Sequence, residues 1–200
     1  MNNSEKDLLE RNEDKKNGKS FVALLLENLE TIIIAVCAAI ILITFCVRIC
    51  TVDGSSMCNT LQNGDRLVVS NLFYTPERGD IIVFHQTGDV YNEPLVKRVI
   101  ATEGEWIDVD PEGWIVRIAD NPEMKNATTL EEPYVFLEGA YFSNTVEFPL
   151  QVPDGHIFVM GDNRNNSADS RSPLIGCVDT RRVIGKVLFR LFPFEKIEYQ

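Results

Sequence analysis

"PLVKRVIAT", residues 94–102, sets two basic residues inside an otherwise apolar run of β type. Side chains alternate between the faces of a strand. Lys97 therefore shares a face with Leu95 and Val99, and Arg98 shares the other with Val96 and Ile100. One of the two bases points at an apolar layer. A lysine so placed either snorkels its amine to water, the commoner use, or holds it desolvated. The second use has a chemical consequence. A free lysine, with a pKa near 10.4, is neutral in only about one molecule in a few thousand at pH 7, and burial raises that fraction. A neutral amine can take the proton of a serine hydroxyl, as histidine does in a triad.

The neighbouring sequence has the same β character. "DRLVVSNLF" and "DIIVFHQ" precede the run, and "TGDVYNE" between the latter and "PLVKRVIAT" reads as a long hairpin loop. "EWIDV" and "WIVRIA" flank "DPEG", whose Pro and Gly favour a tight turn. "HIFVMGD" and "RVIGKVLFRLF" close the chain. No long helical period follows residue 52, so this part is mainly β, with a short helix or turn near "EEPYVFLEG". There is no internal repeat.

Upstream lies "TIIIAVCAAIILITFCV", residues 31–47, seventeen residues without a charge. Ten are Ile, Leu, Val or Phe, and together they favour insertion into a bilayer by roughly 3 to 6 kcal/mol. Seventeen helical residues span about 26 Å, slightly short of the hydrocarbon core. Extension to Val52, with Arg48 snorkelling, gives a single-pass anchor over 31–52. A run this long and uncharged is apolar on every face, unlike a core helix. No small-residue cleavage pattern follows it, so it reads as uncleaved. Arg11, Lys15, Lys16 and Lys19 precede it closely, and only Arg48 and Arg66 follow within a similar distance. This bias puts the N-terminus in the cytoplasm and the remainder outside the cell membrane. Residues 1–30 read as a disordered cytoplasmic tail.

Among 200 residues the net charge is -11, which excludes a nucleic-acid surface. Residues 103–154 hold twelve acids and two bases, whereas the rest of the chain beyond residue 50 holds eleven of each. That block reads as a separate, surface-rich insertion between 53–102 and 155–200. The five cysteines form no disulfide framework; Cys58 and Cys177 are the only two outside or beyond the border of the apolar run. The isolated His85 and His156 offer no metal-ligand spacing.

Two polar stretches remain. "DGSSMCNTLQNGD", residues 53–65, gathers Ser55, Ser56 and Cys58 just past the apolar run. "MGDNRNNSADSR", residues 160–171, follows a β-run. Each is rich in turn formers, and a plain surface loop accounts for either taken alone. A serine, a lysine on an apolar strand and a polar loop could also form one site.

"GSSMCNTL", "RGDIIVF", "LVKRVI" and "GDNRNNSADSR" occur in the order and spacing of type I bacterial signal peptidases, and the chain resembles that family over most of residues 30–200. The resemblance implies a membrane-bound serine endopeptidase that removes signal peptides from exported preproteins. It implies a bent, mostly antiparallel β-sheet or barrel-like catalytic domain over 53–102 and 155–200, with a small cap inserted at 103–154. Ser56 maps to the nucleophile and Lys97 to the general base. Ser167 maps to a serine that hydrogen-bonds the lysine amine. Asp169 and Arg171 map to positions that hold the site's shape. The resemblance implies secreted preproteins and membrane lipid as partners, and no metal or cofactor. An extended substrate would pair as an added strand, with small residues at -1 and -3 of the cleavage site. Met57, Val83 and Phe84 are candidates for the pocket walls.

The chain departs from the family pattern in places. Gly54 stands where some members carry a second oxyanion-hole hydroxyl. Asn59 replaces the usual Pro after the nucleophile motif, and "ATEGE" replaces a Gly-Pro-Gly type turn. Two other readings use the same anchor. A thiol transpeptidase would employ Cys58 with His85 or His156 and an arginine. An inactive β module would only bind secreted proteins. Lys97 and the 160–171 loop have no role in the first, and the intact serine and lysine positions argue against the second. Arg98 and Arg164 read as ordinary ion-pair partners.

Overall fold

The computed structural model describes residues 23, 26–41, 44, 47–86, 93–110, 115–137 and 146–193. The chain divides into two units, Met1–Phe45 and Cys46–Gln200. In the first, residues 26–41 are helical. Leu26, Leu29, Ile32, Ile33, Ile34, Val36, Ile40 and Ile41 are each at least half exposed, so apolar side chains face outward on this helix. Among the described residues no helix is long and apolar enough to cross a membrane.

The second unit is built of strands. Seven form an antiparallel sheet in the order β1-β2-β11-β3-β4-β9-β10. They are β1 (Val47–Thr51), β2 (Arg66–Ser70), β3 (Ile81–His85), β4 (Pro94–Thr102), β9 (His156–Met160), β10 (Val178–Asp179) and β11 (Val183–Phe192). The sheet is open, with β1 and β10 at its edges, which corrects the expectation of a barrel-like closure. β1 also corrects the expected end of the anchor. Val47–Thr51 pairs along its whole length with β2, and Cys50 and Val52 pack onto a core cluster. Strand pairing therefore claims residues that length alone assigned to a membrane helix.

Gly185 marks a break in β11 between its pairings with Phe84 and Val83. A Cβ there would lie 2.6 Å from the Ser70 carbonyl carbon and oxygen, so only glycine lets the two strands approach. The expected β3–β4 hairpin is present; its loop at 87–92 lies outside the described residues, as does most of the turn "DPEG". The stretch near Glu131 is a turn in its described part and not a helix.

β5 (Trp106–Val109), β6 (Val116–Ala119), β7 (Thr128–Thr129) and β8 (Leu150–Gln151) form a second sheet in the order β7-β6-β5-β8. All four lie within residues 103–154. Among the described residues this sheet has no separate core. Ile107, Val109, Val116, Ile118 and Val152 share one apolar cluster with Ile100, Ala101, Phe158 and Met160 of β4 and β9. The block is thus welded to the first sheet, and its acidic surface conceals an apolar underside. A second cluster joins Met57 and Leu61 to Leu67, Val69, Ile81, Val83 and Val187. Each fully buried side chain of this kind contributes roughly 1.5 to 3 kcal/mol.

Candidate active site

The polar stretch 53–65 is a closed loop pinned by apolar plugs. The Val52 amide donates to the Asp65 carbonyl at 2.8 Å, and the Gly64 amide to the Val52 carbonyl at 2.9 Å. Buried Asp65 accepts from the Gln62 amide at 2.9 Å and from Arg190 of β11 at 2.8 Å. Met57 and Leu61 are each 1% exposed or less. With its neighbours rooted in the core, Ser56 is held at a fixed place, partly open to solvent. Both readings of the stretch are therefore correct: it is a turn, and it presents a serine.

That serine meets Lys97. The Lys97 ammonium on β4 donates to Ser56 Oγ at 2.7 Å and to the Val96 carbonyl at 2.9 Å. Lys97 is 3% exposed. Burial pushes its pKa down to about 8, against the opposing pull of the Asp169 and Asp162 charges. About one amine in ten is then neutral at pH 7, roughly two-hundredfold more than for a free lysine. Leu95 and Val99, on the same face, belong to the apolar cluster around Ile82 and Phe84.

The loop 161–172 closes the site from the other side. The Asn163 amide donates to the Ser56 carbonyl at 3.0 Å. Asn163 Nδ2 donates to the Ser55 carbonyl at 3.2 Å, and Asn166 Nδ2 to Ser55 Oγ at 2.9 Å. Asp162 takes a forked pair of bonds from Arg98 at 2.9 and 2.7 Å, and accepts from Thr60 Oγ1 at 2.5 Å. One carboxylate thus ties the nucleophile's loop to the strand that bears the base. Asp169 takes a second fork from Arg171, at 2.9 Å to each oxygen, and accepts from the Gly161 amide at 3.0 Å. Burial alone would raise the Asp169 pKa, but Arg171, with the Gly161 amide and the Ser167 hydroxyl, outweighs it and holds the carboxyl below the usual range. Gly161 is wedged between the two segments. A Cβ there would sit 2.5 Å from the Ser56 carbonyl oxygen and closer still to Ser167 Oγ.

The chain matches the model of the family "Signal peptidase, peptidase S26" over residues 25–192. It belongs to that family. A probable signal peptidase I-1 of Synechocystis is 36% identical over 176 residues, covering 84% of this chain and 82% of the relative. A signal peptidase I of Bacillus licheniformis is 36% identical over 197 residues, covering 94% and 96%. A crystal structure of a signal peptidase I from Enterococcus faecalis aligns at 28% identity and a TM-score of 0.41, covering 57% of this chain and 97% of that one.

The residues that the family resemblance singles out fall in one place in this signal peptidase, with one difference. Ser56 and Lys97 are in hydrogen-bond contact, and Asp169 and Arg171 brace the loop beside them. Ser167 does not bond the lysine amine. Its hydroxyl is buried, close against Gly161 and beside the Asp169 carboxylate that it helps to hold ionised, and the amine's second contact is the Val96 carbonyl. Met57, Val83 and Phe84 are each 1% exposed or less and sit in the core, so they are not walls of an open pocket. Cys58 and Cys177 are not disulfide-bonded. His85 lies exposed at the end of β3, three residues beyond Ile82, the partner of Lys97; His156 begins β9, with Nδ1 bonded to the Asp154 carbonyl at 2.8 Å. Asp162, Asn163, Gly161 and Thr60 were not assigned roles from sequence. The available signal was Arg98 itself, because an arginine on a buried strand requires a carboxylate.

Proposed function

We propose that this chain is a membrane-anchored Ser-Lys endopeptidase that removes N-terminal signal peptides from exported preproteins. The observation that carries this reading is the 2.7 Å contact between the buried Lys97 amine and the hydroxyl of the partly exposed Ser56. The neutral amine accepts the Ser56 proton as Oγ attacks the scissile carbonyl carbon. The Ser56 N–H donates to the resulting oxyanion. Gly54 lacks a hydroxyl to join it, and one such donor matters by roughly 3 to 4 kcal/mol. The tetrahedral species collapses as the Lys97 ammonium protonates the leaving amine, which leaves an acyl-enzyme on Ser56. Water, deprotonated by the same amine, then releases the cleaved signal peptide. These steps are acyl transfers coupled to proton transfers among Ser56, Lys97, water and the substrate, and call for no metal or cofactor.

Asp169 and Arg171 support this chemistry by fixing the loop beside both reacting groups, and Ser167 packs against Gly161 next to them. The uncharged run before β1 is the anchor, with the N-terminal tail and its Arg11, Lys15, Lys16 and Lys19 in the cytoplasm and the β unit on the far side of the membrane. The substrate binds as an extended strand. Full-length protein in detergent should cleave a preprotein at its signal junction, and Ser56→Ala should not. Equal cleavage by both would end the assignment. Proteolysis of intact, wall-stripped cells from outside should digest residues beyond 52 and spare the N-terminal tail; protection of the β unit would reverse the orientation.

A further inference from the structure

Residues 132–136 follow β7 and touch both halves of the site. The Glu132 carboxylate forks onto Arg164 of the loop, at 3.0 and 2.5 Å. These side chains are 4% and 0% exposed. Arg164 Nε donates onward to the Gly161 carbonyl at 3.1 Å, and the Arg164 carbonyl accepts from Arg171 at 2.7 Å. Two backbone bonds run alongside, from the Phe136 amide to the Asp162 carbonyl at 2.8 Å and from the Arg164 amide to the Phe136 carbonyl at 2.9 Å. Tyr134 completes the contact. Its hydroxyl donates to Glu132 at 2.8 Å, and the Arg98 guanidinium lies 3.8 Å from its ring centre. Arg98 is the neighbour of the base Lys97.

We propose that Glu132, seconded by Tyr134, is a positioning residue that locks the loop 161–172 against the Ser56–Lys97 pair. The inference rests on the Ser-Lys reading given above. A buried ion pair is a poor device for stability alone, since apolar packing serves as well. A planar guanidinium fork, however, fixes position and angle. Here it fixes the loop that carries the Asn163 amide to the Ser56 carbonyl and Asp169 toward the base. The Lys97 amine contacts the Ser56 hydroxyl and the Val96 carbonyl, and the charges that act on it are Asp169, Asp162 and Arg171. If the loop slackens, water reaches the amine and its desolvation falls. The amine then regains its proton at a higher pH than in the parent enzyme.

The test is the single-turnover cleavage rate of a preprotein by full-length enzyme in detergent, measured against pH, with thermal unfolding followed in parallel. The parent rate should rise through about pH 8. Glu132→Gln should move that midpoint upward by about one unit, which lowers the rate about tenfold at neutral pH and restores most of it at high pH. KM should stay within about twofold, because the substrate is untouched. Arg164→Lys, which keeps the charge but loses the fork, should move the midpoint the same way. A folded Glu132→Gln enzyme with the parent midpoint overturns the proposal. If Glu132→Gln does not fold, an unmoved midpoint in Arg164→Lys overturns it equally. Failure of both to fold also overturns it, in favour of a purely structural pair. A parent enzyme that leaves preprotein uncut at every pH brings down the Ser-Lys reading and the brace with it. Parent cleavage with unmoved variant midpoints removes the brace alone.

Discussion

In the loop 161–172, Asp162, Arg164, Asp169 and Arg171 are each 4% exposed or less, and every one is forked onto an opposite charge. On β5 and β6, Asp108 and Arg117 also form an ion pair, across the strands, yet half of the arginine side chain lies in water. The two regions use the same residue types for opposite ends. A pair in water gains little, because solvent already satisfies both charges. A buried pair is a commitment: each partner is tolerable only while the other stays, so the geometry is enforced. The enforced region is the one that touches Ser56 and Lys97.

The sharpest way to break this comparison is at the reacting groups. Ser56→Ala and Lys97→Arg should each lower the cleavage rate by on the order of 10⁴-fold or more, whereas Ser55→Ala should keep most activity. Arginine fails despite its charge, because guanidinium does not deprotonate. An active Lys97→Arg enzyme with an unchanged pH profile would sink the neutral-amine mechanism.

Next in size is the buried pair. Asp162→Ala strands the Arg98 guanidinium and should cost about 3 to 5 kcal/mol in denaturant unfolding. Lys97→Met should act in the reverse sense. The Lys97 pKa, about 8 when folded, lies below the unfolded value of 10.5. The unfolded chain therefore binds more protons between these pH values, and stability rises with pH across that window. Below pH 8 the full penalty is present, about 3 kcal/mol. Lys97→Met should be more stable than the parent at pH 7 by up to that amount and lose the advantage near pH 11. A stability difference that ignores pH would show that the amine is not desolvated.

Gly161→Ala should cost about 1 to 3 kcal/mol through overpacking against Ser167 and the Ser56 carbonyl, with a loss of activity larger than its loss of stability implies. The smallest effect belongs to the exposed region. Arg117→Ala should change stability by less than about 1 kcal/mol and leave cleavage unaltered. If it matched Asp162→Ala in a thermal melt, burial would not be what separates the two regions.

The readable parts of the molecule were those with local periodicity. The β-runs at Arg66, Ile81, Pro94, Trp106, Val116, His156 and Val183 all appear as strands. β1 was not legible, because Val47–Thr51 continues an apolar run and its strand state depends on pairing with β2, fifteen or more residues away. β7, β8 and β10 are two residues each, too short to show alternation. At the site, Ser56 and Lys97 were named from motif resemblance. Glu132 carried no signal, since nothing local distinguishes it from Glu131 beside it.

The sequence by itself determined the β character of the chain beyond residue 52, the apolar run before it, and the residue types that a Ser-Lys site requires. These follow from side-chain periodicity and chemistry, which are local. Only the tertiary structure decided which of the acids are buried and which serine the lysine meets. It also decided that the acidic block shares its core with the first sheet. Those facts depend on which strands become neighbours, and desolvation of Lys97 is a property of that packing and not of any residue in it.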